Sequence, residues 1–157
     1  MRQVTAQDPR YVLLSVQPIF ANKIFDGSKT VELRRRFPKV YESRTVIIYV
    51  STPVKAIAGG FQISRVVTAS PSELWHQVKD DAGVTQQQFD DYYAGSGSGH
   101  AIFISNAWKV KKPVSLELLR NRLNFSAPQN FRYLQKTHLD QLEASGLLYP
   151  DHSDRIG

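Results

Sequence analysis

The chain has 157 residues, one domain by size with room for one extension, and its hydrophobic (41%) and charged (22%) fractions are ordinary for a globular protein. It has no cysteine, which excludes disulfides, thiolate metal sites and thiol nucleophiles and fits a reducing cytoplasm, and no apolar run approaches the roughly 20 residues of a membrane span. A formal net charge of +6 favours polyanionic partners.

Residues 1–10 are polar, lack a signal-like apolar core and are expected to be a flexible N-terminus. Tyr11 to Val16 is the first apolar run, a strand. A helix follows from Pro18 to about Asp26: the proline suits a first helical position, and Phe20 and Ile24 share an apolar face. Gly27 sits where a left-handed stop residue belongs. The strand from Thr30 to about Arg35 turns Val31 and Leu33 to one side and Thr30, Glu32 and Arg34 to the other. Thr45 to Ser51 is a buried strand, and Ala56 to Val67 another, with Gly59-Gly60 marking a bulge or a close backbone approach.

Ser70-Pro71-Ser72-Glu73 is a capped helix start, and that helix runs to about Lys79. Thr85, with Gln88 three residues on, caps a helix through Tyr93. Gly95 to Gly99 is a flexible loop, Ala101 to Ser105 a short strand, and Trp108 to Val110 the start of a further one. Ser115 to Leu123 is a helix with Leu116, Leu119 and Leu123 on one face. Gln129 to Leu134 has no clear period, Thr137 caps a last helix through Ala144 that Gly146 ends, and Tyr149 to Gly157 is a frayed tail. Short strands interleaved with short helices make an α+β fold built on a small mixed sheet or barrel.

Most chemical motifs are missing. Gly95, Gly97 and Gly99 lack the lysine and helix of a phosphate loop. His76, His100, His138 and His152 have no metal-ligand spacing, so no metal site is expected, and His100 after the glycine loop is the one histidine placed near a cleft. Basic residues gather at Arg34-Arg35-Arg36 with Lys39, at Lys109, Lys111 and Lys112, and at Arg132 between Phe131 and Tyr133. Such residues beside aromatics hold nucleic-acid backbone and stack bases, or else form a solvated face over a buried aromatic core.

The sharpest group is Lys29, Glu32 and Arg34. A partly buried lysine serves as acid or base, a glutamate beside an arginine is fixed in orientation, and the guanidinium fork suits phosphate or carboxylate. Three readings stand on the residues alone: a nucleotide-binding group, a structural ion-pair network, or an edge strand whose charges discourage pairing.

Gly27, Lys29, Glu32 and Arg34 form the pattern G-x-K-x-x-E-x-R, which resembles the signature of the ASCH domain in the PUA-like superfamily. Leu14-Ser15-Val16-Gln17-Pro18 before it and Glu32 to Pro38 after it fit the same family. Gly60-Phe61, Ser70 to Trp75, Tyr92 to Gly95 and Pro128 to Leu134 are similar to its longer bacterial and phage members. The likeness covers residues 11–135, leaving 136–157 as a C-terminal helix and tail. It implies a small mixed β-barrel flanked by short helices, with the signature residues in a cleft.

The resemblance also implies an RNA-related role: RNA binding, cleavage of single-stranded RNA, or hydrolysis of N4-acetylcytidine. In the amidohydrolases of the family a lysine, a threonine three positions later and a downstream glutamate form the catalytic group. Lys29 matches, but Glu32 holds the threonine's place, and the acid falls near Asp80 or Asp81.

The expected function is therefore a cytoplasmic RNA- or nucleotide-binding domain whose cleft takes a base or modified nucleoside. Lys29, Glu32, Arg34, Arg35, Arg36 and Arg132 are its binding residues, and Tyr93, Trp108 and Phe131 its candidate stackers. The alternative is a hydrolase of RNA or N4-acylated cytidine, with Lys29 and Glu32 catalytic. No cofactor is expected beyond a divalent metal under the ribonuclease reading, recruited by Glu32 with Asp80 or Asp81.

Overall fold

The computed structural model describes residues 7–38, 44–123 and 125–144. The expected roles of Lys39, Gly146, His152 and the tail lie outside them. In chain order the elements are β1 (Gln7–Val16), α1 (Pro18–Asp26), β2 (Val31–Arg34), β3 (Thr45–Val50), β4 (Ala56–Ala69), α2 (Pro71–Val78), α3 (Gln86–Tyr93), β5 (Gly99–Ser115), α4 (Leu116–Leu123), β6 (Phe131–Gln135) and α5 (Lys136–Ala144). The α+β class is as expected.

The strands form one mixed sheet in the order β2-β5-β4-β3-β1-β6. β1 and β3 run parallel, with Leu13 opposite Ile47, and every other pairing is antiparallel. The expected barrel is not formed: the sheet is open, with β2 and β6 as its ends. β2 pairs through only four residues, all with β5, so no backbone ladder reaches across to β6. A side chain spans the gap instead. Arg34 on β2 donates to the Ser15 carbonyl at the end of β1 (2.6 Å) and to Asn130 Oδ1 just before β6 (3.0 Å), so the sheet curls until its ends nearly meet.

Alternation along β1 sorts the core. Val12, Leu14 and Val16 face inward with Val46, Ile48, Phe61, Ile63 and the α1 residues Ala21, Ile24 and Phe25. Leu13 turns outward to Ile47, Tyr49 and Trp108, under Leu116 and Leu119 of α4 and Leu139 and Leu142 of α5. The last helix is thus part of the core. A third cluster packs Val31 and Leu33 against Leu74 and Val78 of α2 and Phe89 and Tyr93 of α3.

β1 begins at Gln7, within the stretch expected to be a flexible N-terminus, because Gln7 and Asp8 pair with Gln135 and Leu134 of β6. β5 is one 17-residue strand where two short ones were expected, running through Asn106 at a positive φ of 49°. The glycine pair in β4 has both expected features. Register shifts flank it, and a Cβ on either glycine would overlap backbone or the Trp108 ring.

Candidate functional site

Local chain geometry delivers the signature residues to one place. α1 ends at Gly27 in the left-handed region (φ 85°), whose N–H donates to the Ile24 carbonyl. Ser28 N–H then bonds Asp26 Oδ1 (2.8 Å) and Lys29 N–H bonds the Lys23 carbonyl (3.0 Å), folding the chain back over the helix end. This turn drives the Lys29 side chain inward, to 2% exposure.

A short segment after α2 closes over it. The Asp81 carbonyl accepts from Thr30 N–H (2.8 Å) and Val31 N–H (3.2 Å), the Ala82 carbonyl from Lys29 Nζ, and the Gly83 carbonyl from Lys23 Nζ (2.8 Å). Lys29 Nζ also lies 5.4 Å from the centre of the Phe20 ring. Burial pushes its pKa below the ordinary lysine value, Glu32 opposes that shift, and Arg34 and Lys23 reinforce it.

β2 is an end strand with both faces covered, which rules out the exposed-edge reading. Glu32 is 6% exposed. Its Oε1 accepts from Leu33 N–H (3.2 Å) and lies 3.5 Å from Arg34 Nε. Its Oε2 is buried with no hydrogen-bond partner. Because the Arg34 guanidinium is committed to Ser15, Asn130 and Glu32, it acts first as a strut that fixes the carboxylate.

Lys29, Glu32 and Arg34 line one cavity of about 550 Å³. Phe20 of α1, Val84, and Phe89 and Tyr92 of α3 form its apolar and aromatic walls. Ser15, Gln17, Ser51, Gln88, Asp91 and Gln129 supply polar rim and wall atoms. The capping box of α3 fixes that wall: Gln88 N–H donates to Thr85 Oγ1 (3.1 Å) and Thr85 N–H to Gln88 Oε1 (2.9 Å).

The other expected residues divide. Arg35 is exposed beside the cavity, its N–H donating to the Tyr92 hydroxyl (3.1 Å) and its guanidinium 4.9 Å from the Tyr92 ring centre. Arg36 is exposed and outside the lining. Arg132 is not part of the cavity. Strand alternation sends Phe131 and Tyr133 to the inner cluster and Arg132 to the opposite face, over the Phe125 ring (4.9 Å) and bonded to Ser126 Oγ (3.0 Å).

Two of the three candidate stackers are core residues. Trp108 lies under α4, and Tyr93 is locked by donation to the Arg34 carbonyl (3.2 Å), burial raising its hydroxyl pKa. The third, Phe131, packs on Phe37 with ring centres 5.9 Å apart. Phe20, Phe89 and Tyr92 are the aromatics that line the cavity, and sequence spacing gave no sign of it. Asp80 and Asp81 have exposed side chains outside the lining, so neither meets Glu32; the acid on the cavity wall is Asp91, held by Gln87 Nε2 (2.8 Å). His100 lies outside the lining, its Nδ1 2.8 Å from Thr68 Oγ1. Among the described residues, no helix is long and apolar enough to cross a membrane.

Comparison with known proteins fits this geometry. The ASCH domain family model matches residues 14–114. The ASCH domain-containing ribonuclease of Zymomonas mobilis is 32% identical over 136 residues, 86% of this chain and 91% of that protein. The crystal structure of ASCH from Zymomonas mobilis aligns with a TM-score of 0.81 at 31% identity, covering 87% of this chain and 96% of that one. The N-terminal domain of Staphylothermus marinus McrB shares the fold alone, with a TM-score of 0.57 at 12% identity over 92% of this chain and 98% of that one. With the signature residues lining one cavity and the family match spanning most of the chain, the protein belongs to the ASCH domain family.

Proposed function

We propose that this protein binds single-stranded RNA, taking one nucleotide into the cavity between α1 and α3. The observation that carries this reading is a buried carboxylate with an unpartnered oxygen beside a buried lysine, in a cavity with aromatic walls. Buried charges are costly unless something pairs them, so a polar ligand completes the site. The volume lies within the roughly 300–1,000 Å³ of small-ligand sites, and single-stranded RNA offers splayed bases that stack on aromatics. Exposed Arg35 and Arg36 at the end of β2 supply phosphate contacts.

Fluorescence anisotropy with labelled single- and double-stranded RNA tests this. Single-stranded RNA should bind more tightly, Lys29→Ala should weaken binding, and Arg35→Ala with Arg36→Ala should flatten the salt dependence. Failure of any single-stranded RNA to bind at low salt would sink the reading.

A second reading, cleavage of single-stranded RNA, is favoured by the ribonuclease name of the Zymomonas mobilis relative and by the depressed Lys29 pKa. A neutral Lys29 amine would take the 2′-hydroxyl proton as the 2′-oxygen bonds phosphorus. The P–O5′ bond would break and its oxygen take a proton from solvent, leaving a 2′,3′-cyclic phosphate and a 5′-hydroxyl. Two remaining N–H groups of Arg34 would face the phosphate. Cyclic-phosphate ends, lost in Lys29→Ala and retained in Lys109→Ala, would establish it. Arms with magnesium, manganese and a chelator report any metal requirement, and N4-acetylcytidine tests the amidohydrolase alternative.

A further inference from the structure

Helix α3 clasps the end of β2 through a single peptide group. The Tyr93 hydroxyl donates to the Arg34 carbonyl (3.2 Å), and the Arg35 N–H of the same peptide donates to the Tyr92 hydroxyl (3.1 Å). The two tyrosine rings brace each other edge to face, their centres 4.9 Å apart. Arg35 therefore leaves the strand from a fixed backbone position. Its guanidinium lies 4.9 Å from the centre of the Tyr92 ring, and Tyr92 is also a wall of the cavity. A planar guanidinium resting on a ring is oriented while its N–H groups stay available to an anion. Among the described residues, no protein acceptor meets the Arg35 guanidinium. Arg36, one residue on, is exposed with no ring beneath it. Inside the cavity the charges cancel, Lys29 and Arg34 standing against Glu32 and Asp91. Lys29 Nζ is anchored on the Ala82 carbonyl, and Arg34 bonds Ser15 and Asn130. The unbalanced positive charge stands at the mouth.

We propose, building on the RNA-binding reading, that Arg35 and Tyr92 form a phosphate subsite at the cavity mouth. The base enters between the apolar walls, and the phosphate of that nucleotide stays outside, on the Arg35 guanidinium. Two N–H groups of the fork meet two phosphate oxygens, a geometry that a lysine cannot reproduce. Tyr92 is the positioning residue: its hydroxyl holds the Arg35 backbone and its ring holds the guanidinium. Arg36 acts only through its charge at a distance.

The test uses the full chain and a fluorescein-labelled single-stranded RNA octamer at low temperature, with the RNA checked intact on a gel. Anisotropy is read from about 20 to 200 mM salt, where each phosphate contact to a single strand adds roughly 0.7 to the slope of log K against log salt. Arg35→Gln should lower that slope by about 0.7, and Arg36→Gln by less than half as much. Tyr92→Leu keeps both arginine charges but also alters a cavity wall, so the decisive readout is the slope and not the affinity. In the Tyr92→Leu background, Arg35→Gln should change the slope by no more than about 0.3. Equal slope losses from Arg35→Gln and Arg36→Gln would overturn the subsite while leaving RNA binding intact. So would a full Arg35→Gln effect without the Tyr92 ring. Should Tyr92→Leu fail to fold, Arg35→Lys decides. It keeps the charge without the planar fork, so it should hold most of the slope yet weaken binding about 3-fold or more, the worth of one exposed ring contact. Undiminished affinity of Arg35→Lys would equally overturn the subsite. Failure of the unaltered protein to bind the octamer at low salt would instead sink the RNA reading beneath it.

Discussion

Replacing Arg34 with methionine should be far more costly than its position near a strand end suggests. The side chain is 14% exposed and makes three polar contacts: the Ser15 carbonyl at 2.6 Å, Asn130 Oδ1 at 3.0 Å and Glu32 Oε1 at 3.5 Å. Its loss strands a carboxylate that is 6% exposed, leaving the Leu33 N–H as its one hydrogen bond. Removing one partner of a buried ion pair costs about 3–5 kcal/mol, whereas replacing both with apolar groups is often close to neutral. For a chain of this size that loss lowers Tm by roughly 6–20 °C. Urea unfolding of Arg34→Met, Glu32→Met and the double variant gives the coupling directly. The double variant should be at least about 2 kcal/mol more stable than the sum of the single effects demands. Additivity within about 0.5 kcal/mol would refute the strut, since independent sites add to that accuracy.

Burial lowers the Lys29 pKa below its ordinary value of 10.5, so over the window beneath that value the unfolded chain binds more protons and stability rises with pH. Urea midpoints between about pH 7 and pH 10 should climb for the wild type, and Lys29→Met should remove that slope; an unchanged slope contradicts the assignment. Above pH 10.0 the raised Tyr93 pKa works the other way, its stability contribution being lost as pH climbs toward the folded-state value. Gly60→Ala should cost about 3 kcal/mol or more, because its Cβ would stand 2.7 Å from the Trp108 ring; Gly97→Ala, with open space around it, should stay within about 0.5 kcal/mol. Leu142→Ala should cost about 2–5 kcal/mol in the same assay, and a smaller loss would mean that α5 is not part of the core.

What the sequence made legible was local. A helix stop, a two-residue period and four charged or glycine positions sufficed to locate Lys29, Glu32 and Arg34. Helix starts rest on short-range hydrogen bonds, and the Thr85 capping box formed as expected. At Ser70 the cap formed, its Oγ accepting from Glu73 N–H, without the return bond from the Glu73 side chain that a capping box requires. The remainder of the site comes from distant elements. Phe20, Asp91, Tyr92 and Gln129 meet only because the sheet curls, and no spacing along the chain encodes that. Of the three readings open for β2, the exposed edge strand fails because Val31, Glu32 and Leu33 are all buried and its polar face, with Glu32 and Arg34, lines the cavity. Arg132 was misplaced by its aromatic neighbours, since adjacent strand residues point to opposite faces. β5 was divided because Asn106 and the basic pair before Pro113 resemble breaks, whereas the long ladder to β4 carries the strand through them.

The successive carbonyls of Asp81, Ala82 and Gly83 are all captured by donors from residues 23–31. Such a pairing counts residues. One residue added or removed between Val78 and Val84 would offset all three acceptors at once, leaving a buried ammonium facing the wrong atom. This connection, though it joins two helices and looks like a place to insert an epitope or trim a loop, should be among the least forgiving in the chain to changes of length. Gly95 to Gly97, with nothing near two of its Cβ positions, is the better place to graft.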